Sequence, residues 1–170
     1  MRVTQRTALL VTVAVTGLAP AATATAAAAS ASSVRGTAQA AKGCITVTAT
    51  IPVGNFPFGV AANPKTNTIY VTNSSDNTVS VISGRTNTVT ATIPVGTTPR
   101  AVAADPKTST VYVANTFDST VSVISGKTNT VTATIPVGSL PRAVAADPKT
   151  NTTYVINGDN TVSVLAPCPK

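Results

Sequence analysis

The sequence predicts an all-β fold, and three observations carry that prediction. The chain repeats itself: "TVTATIPVG" begins at residues 46, 88 and 130, in steps of 42 residues. Short runs rich in Val, Thr, Ile and Ala alternate with Pro, Gly, Asn and Asp, which is typical of strands separated by turns. β-Branched residues dominate and no apolar stripe of 3.6-residue period develops, so helix has little support.

Each repeat holds four predicted strands, named a to d in chain order. In the second repeat these are "RAVAAD" (100–105), "TVYVAN" (110–115), "TVSVIS" (120–125) and "TVTATIPV" (130–137). The patterned region, 45–165, opens with a lone d strand at 45–53, continues through two full units and ends with a, b and c of a third. The predicted total is therefore twelve strands, and the first of them, a d strand, is not preceded by the a, b and c strands of a unit.

Four strands in a unit of roughly 40 to 45 residues indicate a β-propeller blade. A four-stranded sheet of small and medium apolar residues buries its faces only against neighbouring sheets, so blades occur in stacks. We therefore predict three four-stranded blades, the third of them split. Its a, b and c strands end the chain, and the d strand at 45–53 completes it beside the c strand at 161–165.

The repeat motifs also resemble a known family. "YVTN" stands at 70–73 with variants at 112–115 and 154–157, and "NTVSVI" and "TATIPVG" follow at fixed offsets. Over about 45–165 the chain is similar to the YVTN family of β-propeller repeats. That resemblance implies a secreted or surface-layer protein that serves as a binding or structural scaffold. Related seven-bladed rings include enzymes, so the alternative is a ligand- or cofactor-binding propeller of the lactonase or quinoprotein type.

The N-terminal segment predicts export. Arg2 and Arg6 precede an apolar stretch at 8–19, and small residues suited to cleavage follow, which is the pattern of a secretory signal peptide at 1–31. The stretch is shorter than the ~20 residues that span a bilayer, so no membrane span is expected after cleavage. Residues 32–43, rich in Ala, Ser and Thr, are expected to be a disordered leader, and 44–170 form the propeller region. The predicted location is extracellular or at the cell surface.

Export bears on the two cysteines, because thiols tend to pair outside the cytosol. Cys44 and Cys168 are the only candidates for each other, and they flank the position where the split blade lacks its c–d turn. A disulfide between them would take the place of that turn. Whether it joins two ends of one chain or two chains stays open at this point.

The number of blades predicts a partner. Propellers usually have four to eight blades, and three would leave wedge-shaped gaps that small side chains cannot fill. We expect a homodimer of six blades in which each d strand completes the other chain's third blade. The alternative is an open arc of three blades, either from a truncated gene or as the partner of another propeller protein.

Composition argues against an enzyme. The chain has no His and no Glu, which excludes Ser-His-Asp chemistry, His-ligated metals and a His or Glu general base. Its acidic residues all recur at equivalent turns, where a catalytic carboxylate would be expected to stand out. They are Asp76, Asp105, Asp118, Asp147 and Asp159. We predict no catalytic residue, metal site or cofactor.

The basic residues leave two binding hypotheses. Arg100 and Arg142 begin strand a, near the expected mouth of the channel, where guanidinium groups suit an anion. The alternative is that each arginine caps its own blade and pairs with a b–c loop aspartate. On the opposite face, the Lys-rich turns suit either a cell-wall or surface polymer or simple solvation. Nucleic acid is a poor candidate: the formal net charge is +7, but the patterned region 45–165 has seven Lys or Arg against five Asp, and the chain has few aromatic residues.

Overall fold

The structure is a computed structural model, and it describes residues 45–167. The predicted signal peptide (1–31) and leader (32–43) lie outside the described residues. So do both cysteines of the predicted disulfide, Cys44 and Cys168. The statements that follow concern 45–167.

Eleven strands form, each close to its predicted position. For example, strand a of the second repeat was expected at 100–105 and runs from Pro99 to Asp105. The strands are β1 (Pro57–Asn63), β2 (Thr68–Asn73), β3 (Thr78–Ser83), β4 (Thr88–Pro94), β5 (Pro99–Asp105), β6 (Thr110–Asn115), β7 (Thr120–Ser125), β8 (Thr130–Pro136), β9 (Ala143–Asp147), β10 (Thr152–Ile156) and β11 (Val162–Leu165).

The strands form three antiparallel sheets in chain order. The first sheet is β1-β2-β3-β4, the second is β5-β6-β7-β8, and the third contains β9, β10 and β11. Strand β5 lies against both β1 and β9, whereas the outer strands β4 and β8 barely approach each other. The first strand of each sheet is therefore innermost and the sheets fan outward from it, which is a propeller-like arrangement. None of the sheets closes on itself.

The turns between strands depend on asparagine. Asn67, Asn87, Asn129 and Asn151 have positive φ angles of 52° to 58°. Asparagine tolerates this left-handed conformation better than other residues with a Cβ. The "TN" pairs that end at these four asparagines therefore mark the points where hairpins reverse.

The main core lies between the first and second sheets. One face of the first sheet contributes Tyr70, Val79, Val81 and Ile93, and the facing side of the second contributes Val102, Val111, Val113 and Ile124. The inner strands approach closely because Gly59 has no side chain: a Cβ there would lie 2.3 Å from the carbonyl oxygen of Arg100. The Thr72 hydroxyl donates to that same oxygen at 3.0 Å and bridges the two sheets.

The predicted d strand at 45–53 does not form in this chain. Those residues belong to no sheet, and the third sheet has three strands rather than four. The segment that follows is held at the opposite end of the stack, since the Gly54 amide donates to Asn73 of the first sheet at 3.2 Å. The d strand was predicted to pair with the edge of β11, and that edge lies in the third sheet, away from the first sheet that holds Gly54. Completion of the third blade therefore remains a prediction.

Candidate functional site

Aspartates of the b–c loops hold the connections that enter each sheet. Asp76 accepts hydrogen bonds from the backbone and side-chain amides of Asn55 at 2.7 and 2.8 Å. Asp118 accepts from the Thr97 amide at 2.6 Å, and Asp159 accepts from the Ser139 amide at 2.9 Å. The d–a connections and b–c loops therefore share one face of the stack, as the propeller arrangement predicts.

The hydrogen bonds to Asp76 and Asp159 favour the charged form of these two carboxylates. The amides of Asn55, backbone first and then side chain, lower the pKa of Asp76. The Thr161 hydroxyl and then the Ser139 amide lower the pKa of Asp159 in the same way. Because the carboxylates accept hydrogen bonds from amides and hydroxyls of the loops, we assign them a structural role: they hold the loops in shape.

An open cleft of about 400 Å³ lies on this face, between the first and second sheets. Ser74, Ser75 and Asn77 line it from the b–c loop of the first sheet. Thr97, Thr98 and Arg100 line it from the connection into the second sheet. Two phenylalanines, Phe56 and Phe117, complete the walls and are 71% and 65% exposed.

Arg100 is the one charged side chain among the described residues that line this cleft. Its guanidinium lies over the ring of Phe58, 5.2 Å from the centroid, which is within the range of a cation–π interaction. Its Nε atom is buried and has no hydrogen-bond partner in the described part of the chain. The side chain is thus oriented by an aromatic ring and keeps donor capacity for an acceptor.

The structure gives Arg142 different surroundings. This arginine is exposed and lies beside Gly158 of the third sheet's b–c turn, rather than in the cleft. Of the two arginines, Arg100 lines this cleft, and anion binding by the predicted pair stays a prediction. On the opposite face, the exposed Lys65, Lys107 and Lys149 lie in the a–b turns.

Sequence reasoning missed the aromatic part of the cleft. All three phenylalanines of the chain, Phe56, Phe58 and Phe117, gather around Arg100. Each interrupts the repeat: Phe56 stands where other units have Thr98 and Leu140, and Phe117 where the first has Ser75. The signal was present as these departures from the repeat, although nothing in the sequence showed that they would meet.

Among 45–167, no group of three or more His, Cys, Asp or Glu side chains is placed to hold a metal ion. No helix within that range is long and apolar enough to cross a membrane.

Comparison with solved structures supports the propeller-like repeat architecture. The chain is similar to the hydrazine synthase of Kuenenia stuttgartiensis, with a TM-score of 0.63 and 28% identity over 73% of this chain. It is also similar to a functionally unknown protein from Desulfotomaculum acetoxidans DSM 771, with a TM-score of 0.57 and 19% identity over 67% of this chain. The matches span 36% and 42% of those proteins, so the likeness concerns a part of each.

Comparison at the level of sequence is sparser. The PE-PGRS family protein PE_PGRS18 of Mycobacterium tuberculosis (strain ATCC 25618 / H37Rv) is 68% identical over 34 residues, which are 20% of this chain and 7% of that protein. No family model matches the chain. The similarity to PE_PGRS18 is shorter than one repeat and supports the repeat motif alone.

Proposed function

We propose that this chain is a non-catalytic propeller module of the YVTN type, secreted or held at the cell surface, whose scaffold is completed by a second copy of itself. The observation that carries this proposal is the contrast in burial between equivalent residues of the three sheets. Several positions that are buried between sheets inside the stack, on the inner and middle strands above all, are exposed at its two ends.

The first open end is the trailing face of the third sheet, formed by Tyr154, Ile156, Val162 and Val164. Tyr154 is 44% exposed, whereas its repeat equivalent Tyr70 is fully buried. Val162 is 56% exposed, and its equivalent Val79 is fully buried. The trailing face therefore has the residues of an inter-sheet core, and no sheet formed by residues 45–167 covers them.

The second open end is the leading face of the first sheet, formed by Val60, Ala62, Ile69 and Val71. Val60 is 69% exposed, while its equivalent Val102 in the second sheet is 8% exposed. Ile69 and Val71 are partly exposed, and their counterparts in β6 are fully buried in the main core. The leading face thus repeats the surface on which the first sheet packs within the chain.

The trailing and leading faces are complementary, because they repeat the two surfaces that pack on each other inside the chain. Inside the chain, the trailing side of the first sheet packs on the leading side of the second. A second copy presents the same leading surface to the trailing face of the third sheet, so it can form the same type of core. Two copies related by a twofold axis satisfy both ends at once and give six sheets, within the usual range for propellers.

Light scattering on the purified full chain tests the proposal. At about 100 μM protein we expect a mass of two chains, since burying each valine or tyrosine of these faces stabilises the pair by roughly 1.5–3 kcal/mol. Val164→Glu on the trailing face, or Val60→Glu on the leading face, should each reduce the mass to one chain because a charge would be buried unpaired.

Val131→Glu is the matched control, because Val131 is an exposed valine on the outer strand β8 and belongs to neither end face. This variant should keep the mass of the unmodified chain. A single-chain mass for the unmodified protein, or a mass well above two chains, would contradict the closed pair. Circular dichroism establishes that each variant retains its β structure.

A further inference from the structure

We propose that the cleft around Arg100 binds a small aromatic carboxylate. The inference goes beyond self-assembly, and it does not depend on a second copy, because every residue that lines the cleft belongs to the first two sheets of one chain. Three features of the cleft together define this class of ligand: an exposed aromatic wall, an oriented cation and a set of small hydroxyl and amide groups.

The aromatic wall is unusual for a chain with so few aromatic residues. Phe56 and Phe117, which line the cleft, are 71% and 65% exposed, and Phe58, which lies under the guanidinium of Arg100, is 58% exposed. Their backbone is held firmly in place: the Phe56 carbonyl accepts from Ser74 at 2.9 Å, and the Phe117 amide donates to Thr97 at 3.4 Å. A flat apolar ligand placed between Phe56 and Phe117 would remove both rings from water.

Arg100, the cation of the cleft, favours a negatively charged ligand. Arg100 is the charged group that lines the cleft, and Phe58 supports its guanidinium from one side. A planar guanidinium binds a carboxylate through two parallel hydrogen bonds, which adds geometric selectivity to the attraction of charge. The nearest loop carboxylates, Asp76 and Asp118, are already engaged by the amides of Asn55 and Thr97 and do not line the cleft.

The polar groups at the rim of the cleft and the volume of the cleft further restrict the ligand. Ser75 and Thr97 are exposed at the rim, where their hydroxyls can bind a substituent on the ligand. The volume of about 400 Å³ lies in the range that accommodates small organic ligands. Because the cleft is open rather than enclosed, we expect dissociation constants between about 0.1 and 1 mM.

Titration of the full chain with 3-phenylpropionate, followed by NMR chemical shifts or calorimetry, tests the inference. We expect saturable binding at one site per chain. The neutral analogue 3-phenylpropanol and the non-aromatic anion acetate should each bind at least tenfold more weakly, since each lacks one of the two recognised features. Phe117→Ala should also weaken binding of 3-phenylpropionate severalfold.

Arg100→Gln and Arg142→Gln form the matched pair of variants, because the two arginines occupy equivalent places in the repeat and only Arg100 lines the cleft. Arg100→Gln should weaken binding of 3-phenylpropionate at least tenfold, and Arg142→Gln should leave it unchanged. Equal losses in both variants, an unchanged affinity in Arg100→Gln, or no saturation up to about 10 mM ligand would overturn the inference. Each of these results is independent of the mass measured by light scattering.

Discussion

At the scale of single residues, the loop aspartates do structural work that is repeated around the stack. Asp76, Asp118 and Asp159 each accept a backbone amide from the connection that enters their own sheet. Sequence reasoning assigned these residues to turns, because Asp favours turn positions. It could not name their partners, since each partner lies about twenty residues earlier in the chain.

The lowered pKa of Asp76 leads to a prediction about acid stability. A carboxylate with a depressed folded-state pKa contributes stability that is fully present above its unfolded pKa and is lost as the pH falls through the folded value. The unmodified chain should therefore lose thermal stability below about pH 4, and Asp76→Asn should lose less over the same window. Melting temperatures at about pH 6 and pH 2.5 check this. Equal acid sensitivity of the two proteins would refute it.

At the scale of elements, the a–b hairpins show how one substitution alters a repeated turn. In the second sheet, Asp105 accepts from the Lys107 amide and the Thr108 hydroxyl, both at 2.8 Å. In the first sheet, Asn63 stands in that place and accepts from the Lys65 amide at 3.1 Å, while its Nδ2 atom is buried without a partner among the described residues. The first hairpin is thus less well satisfied than the second.

We therefore expect Asn63→Asp to stabilise the chain, because an aspartate can accept the Thr66 hydroxyl and removes the unpaired amide. The gain in free energy of unfolding should be about 0.5–1.5 kcal/mol, measured by denaturant titration at neutral pH. The reciprocal variant Asp105→Asn is the control and should destabilise by a similar amount. If both substitutions destabilise the chain, the comparison between the two hairpins is wrong.

At the scale of the whole molecule, the uncovered end faces and the two cysteines both bear on how the chain assembles. The end faces favour a second copy, because their apolar residues are exposed and a second copy would bury them. Cys44 and Cys168 lie on either side of the missing c–d turn in the sequence, and a disulfide between them, which stays a prediction, would join either two ends of one chain or two chains. The d strand at 45–53 lies in no sheet of its own chain, so it is available to complete the third sheet of a partner.

Gel electrophoresis tests the covalent part of this claim. If Cys44 of one chain pairs with Cys168 of the other, a denaturing gel without reductant should show twice the mass of the chain, and reductant should return it to a single chain. Cys168→Ser should give a single-chain band under both conditions. A single-chain band without reductant for the unmodified protein would exclude the crosslinked pair, while leaving non-covalent association to light scattering.

The sequence by itself determined eleven of the twelve predicted strands, the turns between them and their order within each sheet, whereas the d strand predicted at 45–53 does not form. Alternating β-branched residues and "TN" turn signals act over a few residues, and three copies of the same pattern reinforced one another. Tertiary structure alone decided which equivalent positions are covered: Tyr70 is buried and Tyr154 is exposed, because burial of a repeated residue depends on the neighbouring sheet. Tertiary structure also brought Phe56 and Phe58 close to Arg100 and Phe117, since these two pairs are distant in the chain and meet only where two sheets pack.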